Sequence, residues 1–156
     1  MRILSLCALL WSGCGSDWDY CLDWGACARF EGVAPIDRHT FAHGLIHYTD
    51  HMYRYQPADI GIRTIEKVSM IWTRATFVDK IPDGPAGQHW GEGRVTVALH
   101  WNRDWGRNSL FHEITHHLLE HVYDDADIAH LRKAWWKASN DTKIAWGNAA
   151  KDCIPR

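Results

Sequence analysis

Residues 109–121 read SLFHEITHHLLEH and hold four histidines and two glutamates in thirteen positions. Within them His112, Glu113 and His116 form an H-E-x-x-H pattern. At 3.6 residues per turn the two histidines lie roughly 40° apart on one helix face, so their imidazoles can meet at a single Zn2+. Glu113 stands beside them, within reach of water on such a metal, where it can act as general base. Zinc lowers the pKa of bound water to about 7, so the expected chemistry is hydrolysis at neutral pH.

The rest of the stretch sorts by angle. With Leu110 set at zero, Leu110, Ile114, Leu118 and Val122 fall between roughly 0° and 120° and form the expected core face. His112 and His116 fall near roughly 200° and 240°, and Glu113 near 300°, pointing away from that core toward a cleft. His121 falls among the apolar residues and is expected to be a hydrogen-bonded core or boundary histidine. His117 is expected at the flank, and Glu120, one turn beyond His116, could orient a ligand. A catalytic zinc takes three protein ligands and leaves a position open, so a third ligand must come from beyond the helix. The metzincin spacing fails, because Leu119 and Val122 stand where its glycine and third histidine belong. The candidates are Asp124, Asp125, Asp127 and His130.

These residues need elements to hold them. A helix is expected from about Leu110 to Tyr123, capped by Asn108 or Ser109. DDAD (124–127) should break it and cap another helix from Ile128 to about Ala138. The clearest strand is GRVTVALHW (93–101), where Val95, Val97 and Leu99 alternate. Zinc hydrolases with this motif have an edge strand beside the motif helix that pairs with extended substrate, and resemblance to them makes this strand the expected one. KVSMIWT (67–73) alternates Val68, Met70 and Trp72 and predicts a strand, and ATFVDK a second. IPDGPAG (81–87) reads as a loop. GQHWGEGR (87–94), with His89 and Glu92, reads as a hairpin connection or a rim over the site. Upstream, Phe41, Leu45, Tyr48 and Met52 share one face of a helix over about 40–55 that Pro57 ends. His39, His43, His47 and His51 repeat at spacings of four on the opposite face. They read as a solvated polar face, or a pH-responsive one; a metal site there lacks a carboxylate at matching spacing. His100 is expected to bond a turn, and Tyr123 to pack.

LFHEITHHLLEHVYDDADIAHLRKAWW (110–136) resembles the SprT-like zinc metallopeptidases, which carry H-E-x-x-H on one helix, a turn, and then a histidine followed by a bulky aromatic. With the strand VTVALHW the resemblance covers about 45 residues. It implies zinc held by His112, His116 and His130, with Glu113 activating water. The chain departs from that family in having Leu131 where glycine follows the third histidine, and in lacking zinc-ribbon cysteines. HEITHHLLEH also resembles the HExxHxxLxH pattern of ImmA/IrrE-type peptidases, whose third ligand is commonly acidic.

The chain of 156 residues fits one α+β domain with a real core. Its formal net charge of −2 and the lack of a basic stripe exclude a nucleic-acid footprint. Ten tryptophans suit core and cleft lining. Residues 1–13 read as a secretory signal: Arg2, an apolar run Ile3–Trp11 too short to span a bilayer, then small residues. Ser12–Cys14 resembles a lipobox, with Cys14 the acylated residue of a membrane-anchored lipoprotein. An exported chain keeps Cys21, Cys27 and Cys153 in an oxidising compartment. Either Cys27–Cys153 ties the two ends together or Cys21–Cys27 closes a small loop. Residues 14–35 read as an irregular tether or flap, and 36–156 as a minimal zincin-like domain. The expected protein is an exported zinc peptidase acting on a protein or on cell-wall peptide. The alternative is a non-catalytic lipoprotein, an adhesion or exclusion factor on a zincin scaffold, in which Glu113 would have no task.

Overall fold

A computed structural model describes residues 17–55, 60–82, 84–99, 103–127 and 129–130. The alternation R-A-T-F-V builds β3 (Arg74–Val78), and R-V-T-V-A builds β5 (Arg94–Ala98). The two pair in parallel, with Ala75 opposite Val95 and Phe77 opposite Val97. A period of two sends these four side chains to one face, where all are buried. β2 (Cys27–Glu31) adds to the other side of β3 in parallel register, setting Ala28 beside Ala75 and Phe30 beside Phe77. β1 (Tyr20–Cys21) and β4 (Gly87–His89) close the two edges antiparallel. The mixed sheet has the order β1-β2-β3-β5-β4.

Helices cover the apolar face. α1 (Arg38–Tyr55) buries Phe41, Leu45, Tyr48 and Met52, the face that their spacing predicts. Asp37 starts it by accepting from the Thr40 N–H at 2.9 Å and the Thr40 hydroxyl at 2.6 Å. α3 (Arg103–Tyr123) lays Leu110, Phe111, Ile114 and Leu118 on the same core. Tyr48 joins the two helices: its ring stacks on Phe111 at 5.3 Å. The Thr115 hydroxyl donates to the Phe111 carbonyl, so it accepts from the Tyr48 hydroxyl at 3.1 Å. The architecture is α+β, as expected.

Several local expectations are corrected. Residues 67–71 are not a strand but a π-helical turn, Lys67–Ile71, continuing α2 (Ile62–Glu66). Its buried residues Ile65, Val68 and Ser69 follow helical spacing, and Ser69 and Thr73 return their hydroxyls to the Ile65 and Val68 carbonyls. Of the alternating residues only Val68 and Trp72, four apart, also suit a helix, and Met70 is less buried than Val68. The stretch expected to be irregular supplies β1 and β2 instead. Tyr20 packs on Phe30 and Phe41, and its hydroxyl donates to the Ile36 carbonyl at 2.8 Å. α3 begins at Arg103, one and a half turns before the expected cap at Asn108 or Ser109. The disulfide joins Cys21 to Cys27, which face each other across β1 and β2, so Cys27 is not paired with Cys153. Cys14, Cys153, the signal stretch 1–13 and His100 lie outside the described residues, as does residue 131 onward. Among the described residues, no helix is long and apolar enough to cross a membrane.

Candidate metal centre

α3 carries His112 and His116 one turn apart, and the chain then reverses. Asp124, Asp127 and His130 all adopt left-handed backbone, with φ of 53°, 49° and 55°. Aspartate tolerates that region better than most residues, and a histidine held there is a strained position of the kind found at functional sites. The Asp127 N–H bonds the Asp125 carboxylate at 2.9 Å, and the His130 N–H bonds the Asp127 carbonyl at 2.8 Å. His130 therefore does not sit in a helix, as the sequence suggested, but at the end of a tight turn facing α3.

The result is a triad. The Nε2 atoms of His112 and His116 are 3.2 Å apart, those of His112 and His130 3.3 Å, and those of His116 and His130 3.1 Å. The three imidazoles could hold a metal ion. His116 Nδ1 lies 2.7 Å from the Ala126 carbonyl. A carbonyl only accepts, so Nδ1 carries the proton and Nε2 keeps its lone pair for the centre. Burial lowers the His116 pKa, favouring the neutral ring that a metal requires.

Glu113 is 5% exposed and lies under β4. Its carboxylate accepts a hydrogen bond from the His89 main chain, which favours the charged form, but burial dominates and raises its pKa to about 8. Gly87 makes the close approach possible. A Cβ there would stand 2.8 Å from Glu113 Oε1 and 2.9 Å from its Cγ.

Both β5 and β4 pack against α3, but the edge strand beside this helix is β4, not β5. β5 is flanked by β3 and β4, and β4 forms the sheet edge. GQHWGEGR is a hairpin: Trp90–Gly93 turn the chain, with Gly91, Glu92 and Gly93 at positive φ. His117 and His121 exchange their expected places. His117 is buried at 5% exposure, whereas His121 is exposed and meets the Trp72 ring edge-on at 4.4 Å. The wheel placed His121 with the apolar residues, but the π-helical turn puts Trp72, rather than the sheet, opposite that side of α3. Asp124 and Asp125 are exposed, and Asp127, though buried, is not part of the triad. On α1, His39 and His43 rings are 5.8 Å apart and His43 and His47 rings 4.4 Å. They belong to neither group of side chains that could hold a metal among the described residues.

The second such group was not anticipated. It joins His89 of β4 to His117 and Glu120 of α3. The i, i+3 spacing of His117 and Glu120 was visible, but His89 reaches them only because β4 takes the sheet edge. Comparison with protein-family models, with characterised proteins and with solved structures finds no match to this chain.

Proposed function

We propose that the chain is a zinc-dependent peptidase in which His112, His116 and His130 hold the metal and Glu113 is the general base. The observation that carries this is the convergence of three Nε2 atoms at 3.1–3.3 Å. Tetrahedral zinc with nitrogen ligands at about 2.05 Å sets those nitrogens about 3.3 Å apart, so the donor set fits. Zinc also suits an all-imidazole set better than magnesium or calcium, which prefer oxygen. When bound, the metal would supply a Lewis acid and acidify water beside Glu113.

The chain's own groups do the rest. The Ala126 carbonyl fixes the tautomer of His116. Glu113 takes a proton from water and returns it to the leaving amine. Its raised pKa suits a base that must carry a proton between two steps, and a neighbouring dication would draw that pKa down toward neutrality. Among the described residues β4 is the sheet edge next to the triad, and beside the His89 main chain that bonds Glu113 an extended peptide can add by main-chain hydrogen bonds. An exported chain of this kind, anchored through Cys14, would act on an extracytoplasmic protein or on cell-wall peptide.

Glu113→Gln should retain metal and lose hydrolysis by about 10²-fold or more. A variant that cleaves peptides as fast as the parent removes Glu113 from the reaction and favours the non-catalytic alternative. His130→Ala should lose the tightly bound metal, measured by elemental analysis after dialysis. Unchanged content would move the third ligand elsewhere.

A further inference from the structure

His89 and His117 are buried imidazoles with ring nitrogens that make no hydrogen bond. Their side chains are 4% and 7% exposed. His89 Nε2 and both His117 nitrogens are shut off from solvent and make no hydrogen bond. A buried imidazole nitrogen without a partner loses its water and gains nothing, so an orphaned set of three is costly unless something binds there. Both rings turn toward one carboxylate. Glu120 Oε2 lies 3.3 Å from His89 Nε2 and 3.6 Å from His117 Nδ1, near enough for attraction but not in hydrogen-bonding geometry. One ligand atom from each of the three residues lies within 4.8 Å of the others.

We propose that His89, His117 and Glu120 form a second metal site, distinct from the triad, that binds a divalent cation of the zinc type. Two imidazoles and one carboxylate match the preferences of zinc and its neighbours in the first transition row. The site opens on a groove of about 560 Å3 lined by Trp72, Glu92, His117, Glu120, His121 and Asp124. Its three carboxylates give a cation an attractive entry, and the open side leaves room for water to complete the coordination. Gly93 keeps the pocket's inner wall in place, since a Cβ there would meet His117 Nε2 at 3.0 Å and overlap the Trp72 carbonyl.

The site joins two elements. His89 ends the edge strand, and His117 and Glu120 belong to α3. A cation here clamps β4 to the helix at the residue whose main chain also hydrogen-bonds Glu113. It would brace the edge strand without contributing to the triad, and it stands on its own ligands whichever metal the triad takes.

Zinc content of the full chain, dialysed against a zinc buffer, tests this. The parent should hold two equivalents, and Glu120→Gln and His89→Gln one each. Glu120 is the safer variant because its side chain is 40% exposed and the change is isosteric. His130→Ala should also lose one equivalent, and combined with Glu120→Gln should lose both. With the triad disabled by His130→Ala, zinc should still raise the melting temperature, and that rise should vanish with Glu120→Gln. Two equivalents in an inactive parent would overturn the peptidase reading and leave the second site standing. A single equivalent in the parent that Glu120→Gln and His89→Gln keep and His130→Ala loses, or two retained in both Glu120→Gln and His89→Gln, overturns the second site; a single equivalent lost in Glu120→Gln and kept in His130→Ala overturns the triad instead.

Discussion

Glu113 is a carboxylic acid that folding makes hard to ionise, and this has a measurable consequence in the metal-free chain. Its folded pKa, about 8, lies above the ordinary value of 4.5. The folded state then binds more protons than the unfolded state between those values, so stability falls as pH rises through that window. The buried histidines act in the opposite sense. His89, His116 and His117 have lowered pKa values, His117 down to about 4, so they lose stability as pH falls below about 6.5. Glu113→Gln isolates the first effect: in chelator it should stabilise the chain at pH 8 by a few kcal/mol and by little at pH 5. Equal melting temperatures for parent and variant at pH 8 would show that Glu113 is not held in this way. Gly87 belongs to the same scale. Gly87→Ala should shift the Glu113 carboxylate and lower the hydrolytic rate while metal content stays at the parent level; an unchanged rate would show that the side chain moves aside freely.

At the scale of elements, the edge strand and the chain reversal after α3 decide the site. β4 is three residues long, yet it covers Glu113 and carries His89. Asp124 and Asp127 turn the chain at left-handed backbone, and that reversal brings His130 to the helix. At the far edge, the Cys21–Cys27 disulfide closes a loop of six residues between β1 and β2. Constraint of so short a loop contributes about 2 kcal/mol, so reduction or paired Cys→Ala replacement should lower unfolding free energy by that amount. Denaturant curves with and without reductant measure it. Because this disulfide sits at the opposite edge of the sheet from β4, metal content should not change, and a loss of metal would mean that the two edges are coupled.

For the molecule as a whole, the residues that could hold a metal in the triad come from α3 and from the segment that follows it, so metal binding there would favour the folded chain over the unfolded one. At a free metal concentration 100 times Kd, that linkage is about 2.7 kcal/mol. For a domain of this size it corresponds to a melting shift of roughly 5–10 °C. Chelation should produce such a fall in the parent, reversed by zinc, and a smaller one in His130→Ala. A chelator without effect on melting would mean that no tightly held metal contributes to the fold.

The sequence by itself determined the pieces with local periodicity. The spacing of four set His112 and His116 on one face, the Phe41–Met52 stripe gave α1 its buried side, and Val95 and Val97 marked a strand. Resemblance pointed to His130, and the structure places its Nε2 beside those of His112 and His116, at left-handed backbone rather than in a new helix. Tertiary structure alone decided the rest. Whether KVSMI alternates or coils depended on packing against α1 and α3, because Val68 and Trp72, four apart, fit either period. The burial of His117 and the exposure of His121 depended on what lay across from α3, which no helical wheel contains. The pairing of Cys21 with Cys27 and the meeting of His89, His117 and Glu120 required the order of the strands. Sheet order is a property of contacts between residues distant in sequence, and a single sequence records the side chains of such contacts but not which of them meet.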